Sequence, residues 1–360
     1  MAESHAPWDV PSAWQPALEA ARTGGTLLLI GAVDSGKSTL AAILAGAACE
    51  AGRAVAVVDA DVGQSSLGPP TCVGMARLHE PIADLADLPA EAIDFVGAPP
   101  PTGHLLECVA SACAMAAAAR SAGADTLVVD TTGLIDGPSG RALKAAKVRL
   151  LAPDVVVGLQ AEDEVEHLLA PYRGRRRPRI VRLRRSRRVK ERTREQRAAR
   201  RQMKLGSYFA GGKVEEITWD NLPIDNSPWT TGEPAPGHVR AHAEERLGCE
   251  VLHAERRADG LFLILDGQAD PQGLRSLADG FGGAARAVDA ASFRSLLVGL
   301  LGEQGETLGL GLLEHIDFGA RRLSIYTPAD VQQAKGLRLG AVQVARDGTQ
   351  LGWNEPGATG

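Results

Sequence analysis

Aromatic side chains and paired cysteines are both scarce in this 360-residue chain. Phe, Trp and Tyr make up only 4% of the residues, so a buried core must consist mainly of Ala, Val, Leu and Ile. The five cysteines are odd in number and form no CxxC pair, so the sequence suggests neither a disulfide framework nor a zinc site. The hydrophobic fraction of 44% excludes wholesale disorder.

Long hydrophobic runs are absent as well. The longest apolar stretch, residues 109–119, is rich in alanine and too short to span a bilayer. The N-terminal residues do not have the basic and apolar regions of a signal peptide. We therefore expect a cytoplasmic protein with no membrane partner.

Positive charge is concentrated in one segment of an otherwise acidic chain. The 39 Lys and Arg stand against 44 Asp and Glu, which gives a formal net charge of −5. Residues 172–204 alone hold 15 Arg and 2 Lys against two Glu, a local charge of +15, and −20 remains for the other residues. The small total therefore does not exclude a nucleic-acid partner.

Apolar runs of strand length alternate with helical segments in the first half of the chain. Four such runs lie at residues 26–31, 54–61, 126–130 and 154–159. Residues 38–50 and 140–151 have helical character. Near-continuous apolar strands are typical of a parallel sheet with helices on both faces, so we predict an α/β fold for residues 25–205 after a short extension at 1–24.

The second half is predicted to form a smaller, β-rich C-terminal domain over residues 206–360. Short β-like runs occur at residues 261–265, 295–301, 307–313, 323–326 and 341–344. The proline-rich stretch 221–237 is interpreted as a linker or a long loop.

Residues 31–38 read GAVDSGKS and fit GxxxxGK(S/T), the pattern of a phosphate-binding loop (P-loop). An apolar strand precedes the pattern and a helix-forming run follows it, as the mechanism requires. Glycines let backbone N–H groups point at phosphate oxygens, and the helix N-terminus adds partial positive charge. Lys37 is expected to reach the β- and γ-phosphates, and Ser38 to ligate Mg²⁺. The alternative is a glycine-rich turn with a surface lysine.

Three aspartates follow predicted strands. Asp59 and Asp61 end one strand and share a face of it, and Asp130 ends another strand in the sequence DTTG. Carboxyl ends of parallel strands face the crevice where ligands bind. Asp59 and Asp61 could address one Mg²⁺, one through water and one as a base, and Asp130 could bind Mg²⁺ through water. The alternative for Asp59 and Asp61 is that one of them caps the following turn, and in the Asp130 stretch Gly133 could instead follow a γ-phosphate.

The basic segment lies between two predicted folded regions. Residues 190–203 contain no Gly or Pro and are predicted to be helical, whereas residues 173–188 are left open between loop and disorder. A helix after the last strand can fold over a bound nucleotide as a lid, where arginine suits phosphate oxygens and developing charge. Only one or two arginines can do this, so the others are interpreted as a solvated or polyanion-binding face.

Five stretches, in order along the chain, resemble the RNA 5′-hydroxyl polynucleotide kinases, which are related to the pre-mRNA cleavage factor subunit and to the ribosomal-RNA-processing kinase. They are DSGKSTL (34–40), DADVGQSSLGPP (59–70), FVGAPPPTGH (95–104), RTREQRAARRQMKLGSYFAG (192–211) and LLVGLLGEQGETLGLGLLEHIDF (296–318). The resemblance implies Mg²⁺-dependent transfer of a γ-phosphate from ATP, with GTP as an alternative, to the 5′-hydroxyl of RNA or of single-stranded DNA. It identifies no protein partner.

The resemblance also implies roles for individual residues. The residues that would hold the triphosphate are Gly31, Asp34, Ser35, Gly36, Lys37, Ser38 and Thr39. Those that would hold the metal are Ser38, Asp59 and Asp130. Asp61 would accept the 5′-hydroxyl proton, and Arg192 and Arg197 match two lid arginines that have this five-residue spacing. Substrate contacts are expected from Gln64, Thr102, His104 and Thr131.

The sequence departs from the family at two places, one expected to contact the nucleotide base and one expected to hold the RNA 5′ end. The eukaryotic members carry an N-terminal β-domain, whereas about 25 residues precede the first strand here; Trp8 or Trp14 could cover the base, although packing is the expected role. Leu134 and Ile135 stand where those members have an aromatic clamp. Two other classes remain open, a nucleotide-bound scaffold and a GTPase or metal-insertion NTPase, although the chain has no NKxD guanine motif.

Overall fold

The computed structural model describes residues 10–220 and 222–354. The chain forms two compact units, Met1–Lys204 and Leu205–Gly360. Within the described residues, no helix has both the length and the apolar character that crossing a bilayer requires.

The first unit is built on a mixed sheet with a parallel centre. In spatial order, its strands are β4 (Ala92–Phe95), β3 (Cys72–Leu78), β2 (Val55–Ala60), β5 (Thr126–Thr131), β1 (Gly25–Gly31), β6 (Val155–Gln160) and β7 (Arg179–Arg184). The strands from β2 to β7 are parallel, and the predicted sheet is confirmed. β3 and β4 add an antiparallel edge, which the alternation of strand and helix does not predict.

Helices cover both faces of this sheet, as predicted. α1 (Gln15–Thr23) and α2 (Lys37–Glu50) share one core with Leu27 and Leu29 of β1. On the other face lie α3 (Leu105–Ser121), α4 (Gly137–Leu151) and α5 (Glu166–Leu169), whose core includes Leu28 and Ile30. Successive β1 side chains therefore point to opposite cores, which is why the strand is apolar throughout.

The basic segment is more ordered than its composition indicates. The loop-or-disorder interpretation of residues 173–188 is wrong for β7, where Val181 and Leu183 are buried while the three arginines of the strand face solvent. The predicted lid helix is α6 (Arg194–Phe209) and begins four residues later than expected. Thr193 and Gln196 exchange side chain–backbone hydrogen bonds of 3.2 and 2.9 Å, a capping arrangement that fixes this start.

The second unit contains two sheets. The strands of the larger sheet, in spatial order, are β18 (Gln350–Trp353), β17 (Gly336–Val344), β14 (Leu296–Leu301), β15 (Thr307–Asp317), β16 (Arg322–Thr327) and β8 (Lys213–Thr218), with β9 (Ile224–Asp225) beside β17. The smaller sheet consists of β10 (Glu233–Pro234), β11 (Val251–Arg257), β12 (Gly260–Leu265) and β13 (Ala284–Asp289). The predicted β-rich character is confirmed. The short strands β9 and β10 lie in the stretch interpreted as a linker.

Two helices of the second unit were not predicted. α7 (Gly237–Leu247) and α8 (Pro271–Phe281) pack against the smaller sheet through Val239, Leu247 and Leu277. Asp270 is the N-cap of α8, and its side chain accepts a hydrogen bond of 2.8 Å from the Gly273 N–H. Gly and Pro at the first positions of these helices hide their helical pattern in the sequence.

Candidate active site

The phosphate-binding pattern joins the carboxyl end of β1 to the N-terminus of α2. A Cβ atom at Gly31 would lie 2.6 Å from Ser35 Oγ and 2.7 Å from Leu159 O, so only glycine lets the loop curl this tightly. Gly36 has a φ of +93°, in the left-handed region. Lys37 is buried, and its Nζ donates to Ala32 O at 2.7 Å. The ammonium therefore stays with the backbone of the loop.

Ser38 connects this loop to the aspartate that ends β5. Ser38 Oγ donates to Asp130 Oδ2 at 2.6 Å, and the other Asp130 oxygen accepts from the Thr131 N–H at 2.8 Å. Asp130 is 1% exposed, and burial raises its pKa although the Lys37 charge and the Ser38 hydrogen bond oppose the shift. Ser35 Oγ is buried and has no hydrogen-bond partner among the described residues. The loop thus presents the unpartnered hydroxyl of Ser35 beside the hydrogen-bonded Ser38–Asp130 pair.

Asp59 and Asp61 are used differently. Asp59 is 1% exposed, and its two oxygens accept from the backbone N–H groups of Asp61 at 3.0 Å, Leu67 at 3.1 Å and Ser66. Burial, with the negative charges of neighbouring aspartates, raises the pKa of Asp59 to about 7 even though these hydrogen bonds oppose it. Because both Asp59 oxygens serve the backbone, the contacts favour the turn-capping alternative.

Asp61 stands at the rim of the site. It is half-buried, and its Oδ1 accepts from the N–H groups of Gly63 and Gln64 at 3.1 Å each. The carbonyl oxygen of Pro99 would lie 3.1 Å from a Cβ at Gly63, so the loop before α3 borders this turn. The carboxylate is therefore held in one orientation at an accessible place.

The lid arginines meet the phosphate-binding loop through Asp34. Arg197 Nη1 lies 3.0 Å from Asp34 Oδ2, and the Arg192 N–H donates to the same oxygen at 3.0 Å. Arg192 Nη1 lies 3.5 Å from the other oxygen. Asp34 has a φ of +53°. The two arginines that were matched by their spacing thus contact the same carboxylate, although Asp34 is about 160 residues away from them in the sequence.

Gln64 is the predicted substrate residue that lies closest to these groups. Its Nε2 donates to Gly63 O at 2.7 Å and to Arg197 O at 3.4 Å, so it lies between the Asp61 turn and the lid helix. Its Oε1 is buried with no hydrogen-bond partner within residues 10–220 and 222–354. This amide oxygen is available to a ligand that donates a hydrogen bond.

The other predicted substrate residues are less directly placed. Thr102 is exposed in the loop before α3, and His104 occupies the N-cap position of α3 without a side-chain capping bond. Thr131 is fully buried, and its hydroxyl donates to Leu29 O at 2.7 Å. The Thr131 contacts favour a structural role inside the sheet.

Two buried lysines were missed by the sequence analysis. Lys144 and Lys147 on α4 are 1% and 0% exposed. Lys144 Nζ donates to Thr131 Oγ1 at 2.7 Å and to Thr132 O, and Lys147 Nζ lies 3.4 Å from Ala60 O. In the described part of the chain, neither ammonium has a carboxylate at ion-pair distance. Burial lowers the pKa of both, although Asp61 and Asp130 oppose the shift electrostatically.

The position of these lysines along α4 is a usable signal. Gly140, Lys144, Lys147 and Leu151 are spaced by three or four residues and are all buried, so they share the helix face that meets the sheet. The two ammonium groups reach the ends of β5 and β2, the strands that carry Asp130 and Asp59. In a sequence, lysines on the sheet-facing side of a helix that follows DTTG therefore indicate residues near the site.

A groove of about 740 Å³ adjoins the phosphate-binding loop. Trp14, Ala161 and the segment 184–189 line it. Val189 Cγ2 would lie 3.1 Å from a Cβ at Gly36, which places the segment against the loop. Trp14 is buried and donates from Nε1 to Arg184 O at 3.0 Å, so it packs as a wall of the groove, while Trp8 lies outside the described residues.

Residues 31–211 match the family model described as the mRNA cleavage and polyadenylation factor CLP1 P-loop. The chain belongs to this family. The matched region runs from the phosphate-binding loop through α6 and so contains all the phosphate, metal, lid and substrate candidates named above, but not Trp14.

Curated archaeal proteins resemble nearly the whole chain. A polyribonucleotide 5′-hydroxyl-kinase of Methanocaldococcus jannaschii is 30% identical over 329 residues, which are 91% of this chain and 89% of that protein. A kinase of the same name from Pyrococcus furiosus is 29% identical over 327 residues, with the same coverage. The solved structure of a Clp1p–Pcf11p complex aligns with a TM-score of 0.58 at 12% identity, covering 92% of this chain and 78% of that one. That structure shares the fold.

Proposed function

We propose that this protein is a polynucleotide kinase that transfers the γ-phosphate of ATP to the 5′-hydroxyl end of RNA. One observation carries the proposal: the Ser38–Asp130 pair, the oriented carboxylate of Asp61 and the Asp34-held lid arginines lie around one phosphate-binding loop. The names of the archaeal relatives support RNA as the acceptor.

The triphosphate would lie in the loop at residues 31–39. The tight curl at Gly31 and the unpartnered hydroxyl of Ser35 fit phosphate oxygens, and Ser38 and Thr39 lie in the first turn of α2, where the helix dipole favours anions. Lys37 would exchange its bond to Ala32 O for a phosphate oxygen. The nucleotide base would enter the groove beside Val189. We propose ATP as the nucleotide, and the experiment below compares it with GTP.

Mg²⁺ fits the hydroxyl and carboxylate of Ser38 and Asp130, because these are hard oxygen ligands of the kind the ion prefers. When bound there, Mg²⁺ supplies positive charge against the charge that develops on the transferred phosphoryl group. Asp59 is left to fix the turn that carries Asp61, since its oxygens already accept three backbone hydrogen bonds.

Asp61 would act as the general base. The 5′-oxygen attacks the γ-phosphorus, the bond from that phosphorus to the β–γ bridging oxygen breaks, and ADP leaves. Asp61 accepts the proton that the 5′-hydroxyl loses, a role for which its two backbone hydrogen bonds orient it. Arg192 and Arg197 would stabilise the charge on the phosphoryl group while Asp34 keeps them at the loop.

The test is a transfer assay with ATP labelled at the γ-phosphate, Mg²⁺ and an acceptor panel. The panel contains 5′-hydroxyl RNA, 5′-hydroxyl single-stranded DNA and 5′-phosphorylated RNA, each with ATP or GTP. We expect labelled 5′-hydroxyl RNA, no label on the blocked RNA, and loss of transfer in Lys37→Ala and Asp61→Asn. Absence of label on every 5′-hydroxyl acceptor overturns the proposal, and retained, unhydrolysed nucleotide would then indicate a scaffold.

A further inference from the structure

A second groove runs along the solvent side of α4. Its volume is about 630 Å³. One side is a helical stripe in which successive members are three or four residues apart: Ala142, Ala145 or Ala146, Arg149 and Ala152. The other side is the segment between α5 and β7, with Tyr172, Arg175, Arg177 and the flanking prolines. None of its lining residues, all within the described ranges, is acidic.

The groove combines positive charge with a flat aromatic surface. The guanidinium carbon of Arg175 lies 5.3 Å from the centre of the Tyr172 ring, so the groove presents a stacked cation and ring. Arg177 is 81% exposed, and its contact with Asp154 at 3.2 Å is a surface ion pair of little strength that a phosphate can replace. Arg149 is exposed on the opposite side. Such a set suits a single-stranded nucleic acid, whose bases stack and whose phosphates pair with arginine.

α4 runs from the sheet edge that carries the candidate active site towards the opposite edge, where β6 and β7 begin and where Arg177 and Pro178 of the groove lie. α4 begins at Gly137, close in sequence to the DTTG stretch that carries Asp130, and the stripe runs away from that end. From Ala142 to Leu151, the last residue of α4, the helix rises about 14 Å, which is the length of roughly four stacked nucleotides. The small alanine side chains leave room for a chain along the helix.

We propose that this groove binds single-stranded RNA downstream of its 5′ end, with a base stacked on the Tyr172–Arg175 pair and backbone phosphates at Arg149 and Arg177. The inference rests on the proposed kinase function and adds where the substrate lies beyond its reacting end. It also gives a role to arginines of the basic segment that the lid does not use. A flat ring beside the guanidinium groups favours RNA over an acidic peptide, for which charge alone would suffice.

The experiment compares the double variant Arg149→Ala/Arg177→Ala, which removes the two proposed phosphate contacts, with a control that removes equal charge elsewhere, Arg22→Ala/Arg275→Ala, at two exposed arginines outside the groove. Fluorescence anisotropy measures binding of a 5′-phosphorylated RNA of ~12 nucleotides at several salt concentrations. We expect the double variant to bind at least about ten times more weakly, with a slope of log K against log salt that is smaller by about 1.4, for two lost phosphate contacts. Tyr172→Ala should weaken binding without changing the slope.

Steady-state kinetics separate this inference from the proposed function. The double variant should raise the KM for the long 5′-hydroxyl RNA far more than the KM for a trinucleotide, while the control variant changes neither. RNA affinity and long-RNA KM equal to those of the control would overturn the groove assignment. If the wild-type protein phosphorylates neither RNA, the kinase proposal fails, and the anisotropy measurement still decides whether the groove binds RNA.

Discussion

Each unit contains charged side chains that are almost completely buried, but these side chains have opposite kinds of partners. One has oppositely charged neighbours, and the others have neutral oxygens. Glu255 of the second unit is 2% exposed and meets His253 Nε2 at 3.0 Å and Arg257 Nη2 at 3.3 Å. It also accepts from the backbone N–H groups of Thr230 and Gly232. Lys144 and Lys147 of the first unit are equally buried, and within the part of the chain that the structure describes they donate to hydroxyl and carbonyl oxygens only.

We interpret the difference as one between a structural use and a functional use of buried charge. Around Glu255, cations and backbone donors compensate the desolvated carboxylate and fix a turn against β11. Among the described residues the two lysines have no carboxylate at ion-pair distance, and the more distant Asp61 and Asp130 offset their burial only in part, so their charge costs stability. Such a cost is typical of functional sites, and here the lysines lie at the strand ends that carry Asp59 and Asp130. We interpret them as positioning residues that also place positive charge under the site.

The largest expected effect is on folding, through Glu255→Ala. The substitution leaves the half-buried Arg257 and His253 without their carboxylate, so the free energy of unfolding should fall by about 3 kcal/mol. Urea unfolding measures the loss, with Glu245→Ala on the exposed surface of α7 as the control. A change as small as that of the control would mean that the Glu255 network is not structural.

Lys147→Met should have the opposite signature. Methionine keeps most of the volume without the charge, so stability should stay constant or rise, since apolar replacement of buried charge is often stabilising. The rate of phosphate transfer should fall by about ten-fold or more, which corresponds to about 1.4 kcal/mol. Single-turnover kinetics and the thermal midpoint are measured on one preparation, with the exposed Lys213→Met as control. Unchanged transfer, or a stability loss like that of Glu255→Ala, would contradict the comparison.

Asp34→Asn tests a paired charge that lies at the site. Its partners Arg192 and Arg197 are partly exposed, so the pairs should contribute at most about 1 kcal/mol to folding. Transfer should nevertheless slow several-fold, because the lid arginines lose the carboxylate that aims them. The kcat and the KM for ATP are compared with the urea midpoint. A large loss of stability at full activity would show that this pairing is structural, like that of Glu255.

The smallest expected effect is on how the stability difference between wild type and Glu255→Gln depends on pH. Burial alone would raise the pKa of Glu255, but the hydrogen bonds and charge of His253, with those of Thr230 and Arg257, outweigh burial and lower it. The ionised carboxylate therefore stabilises the fold above the ordinary glutamate pKa of about 4.3, and this stability is lost as the pH falls through the lowered value. The stability gap between wild type and Glu255→Gln should be constant near neutral pH and narrow below about pH 4. A gap that widens on acidification would contradict the sign of the shift.

Much of the first unit follows from the sequence because its strands are buried on both faces. The runs at β1, β2, β5 and β6 are apolar over most of their length and were found directly. β7 was missed because its exposed arginines hide the two buried side chains between them. The helices α7 and α8 were missed because Gly and Pro open them.

The candidate site was predictable where a motif carries the chemistry and not where tertiary contacts assign it. The phosphate-binding loop and the aspartates follow from their places at strand ends. The sequence does not distinguish Asp59 from Asp61. The difference arises in the folded chain, where the backbone N–H groups of Ser66 and Leu67 donate to the carboxylate of Asp59. Contact between Asp34 and Arg197, 163 residues apart, likewise appears only in the folded chain.

The most direct test of the account is single-turnover transfer of labelled γ-phosphate to 5′-hydroxyl RNA by wild type and Asp61→Asn. We expect labelled RNA with wild type and a rate lower by about 10²–10⁴ with Asp61→Asn, at an unchanged thermal midpoint. No transfer by wild type, or equal transfer by both proteins, would contradict it.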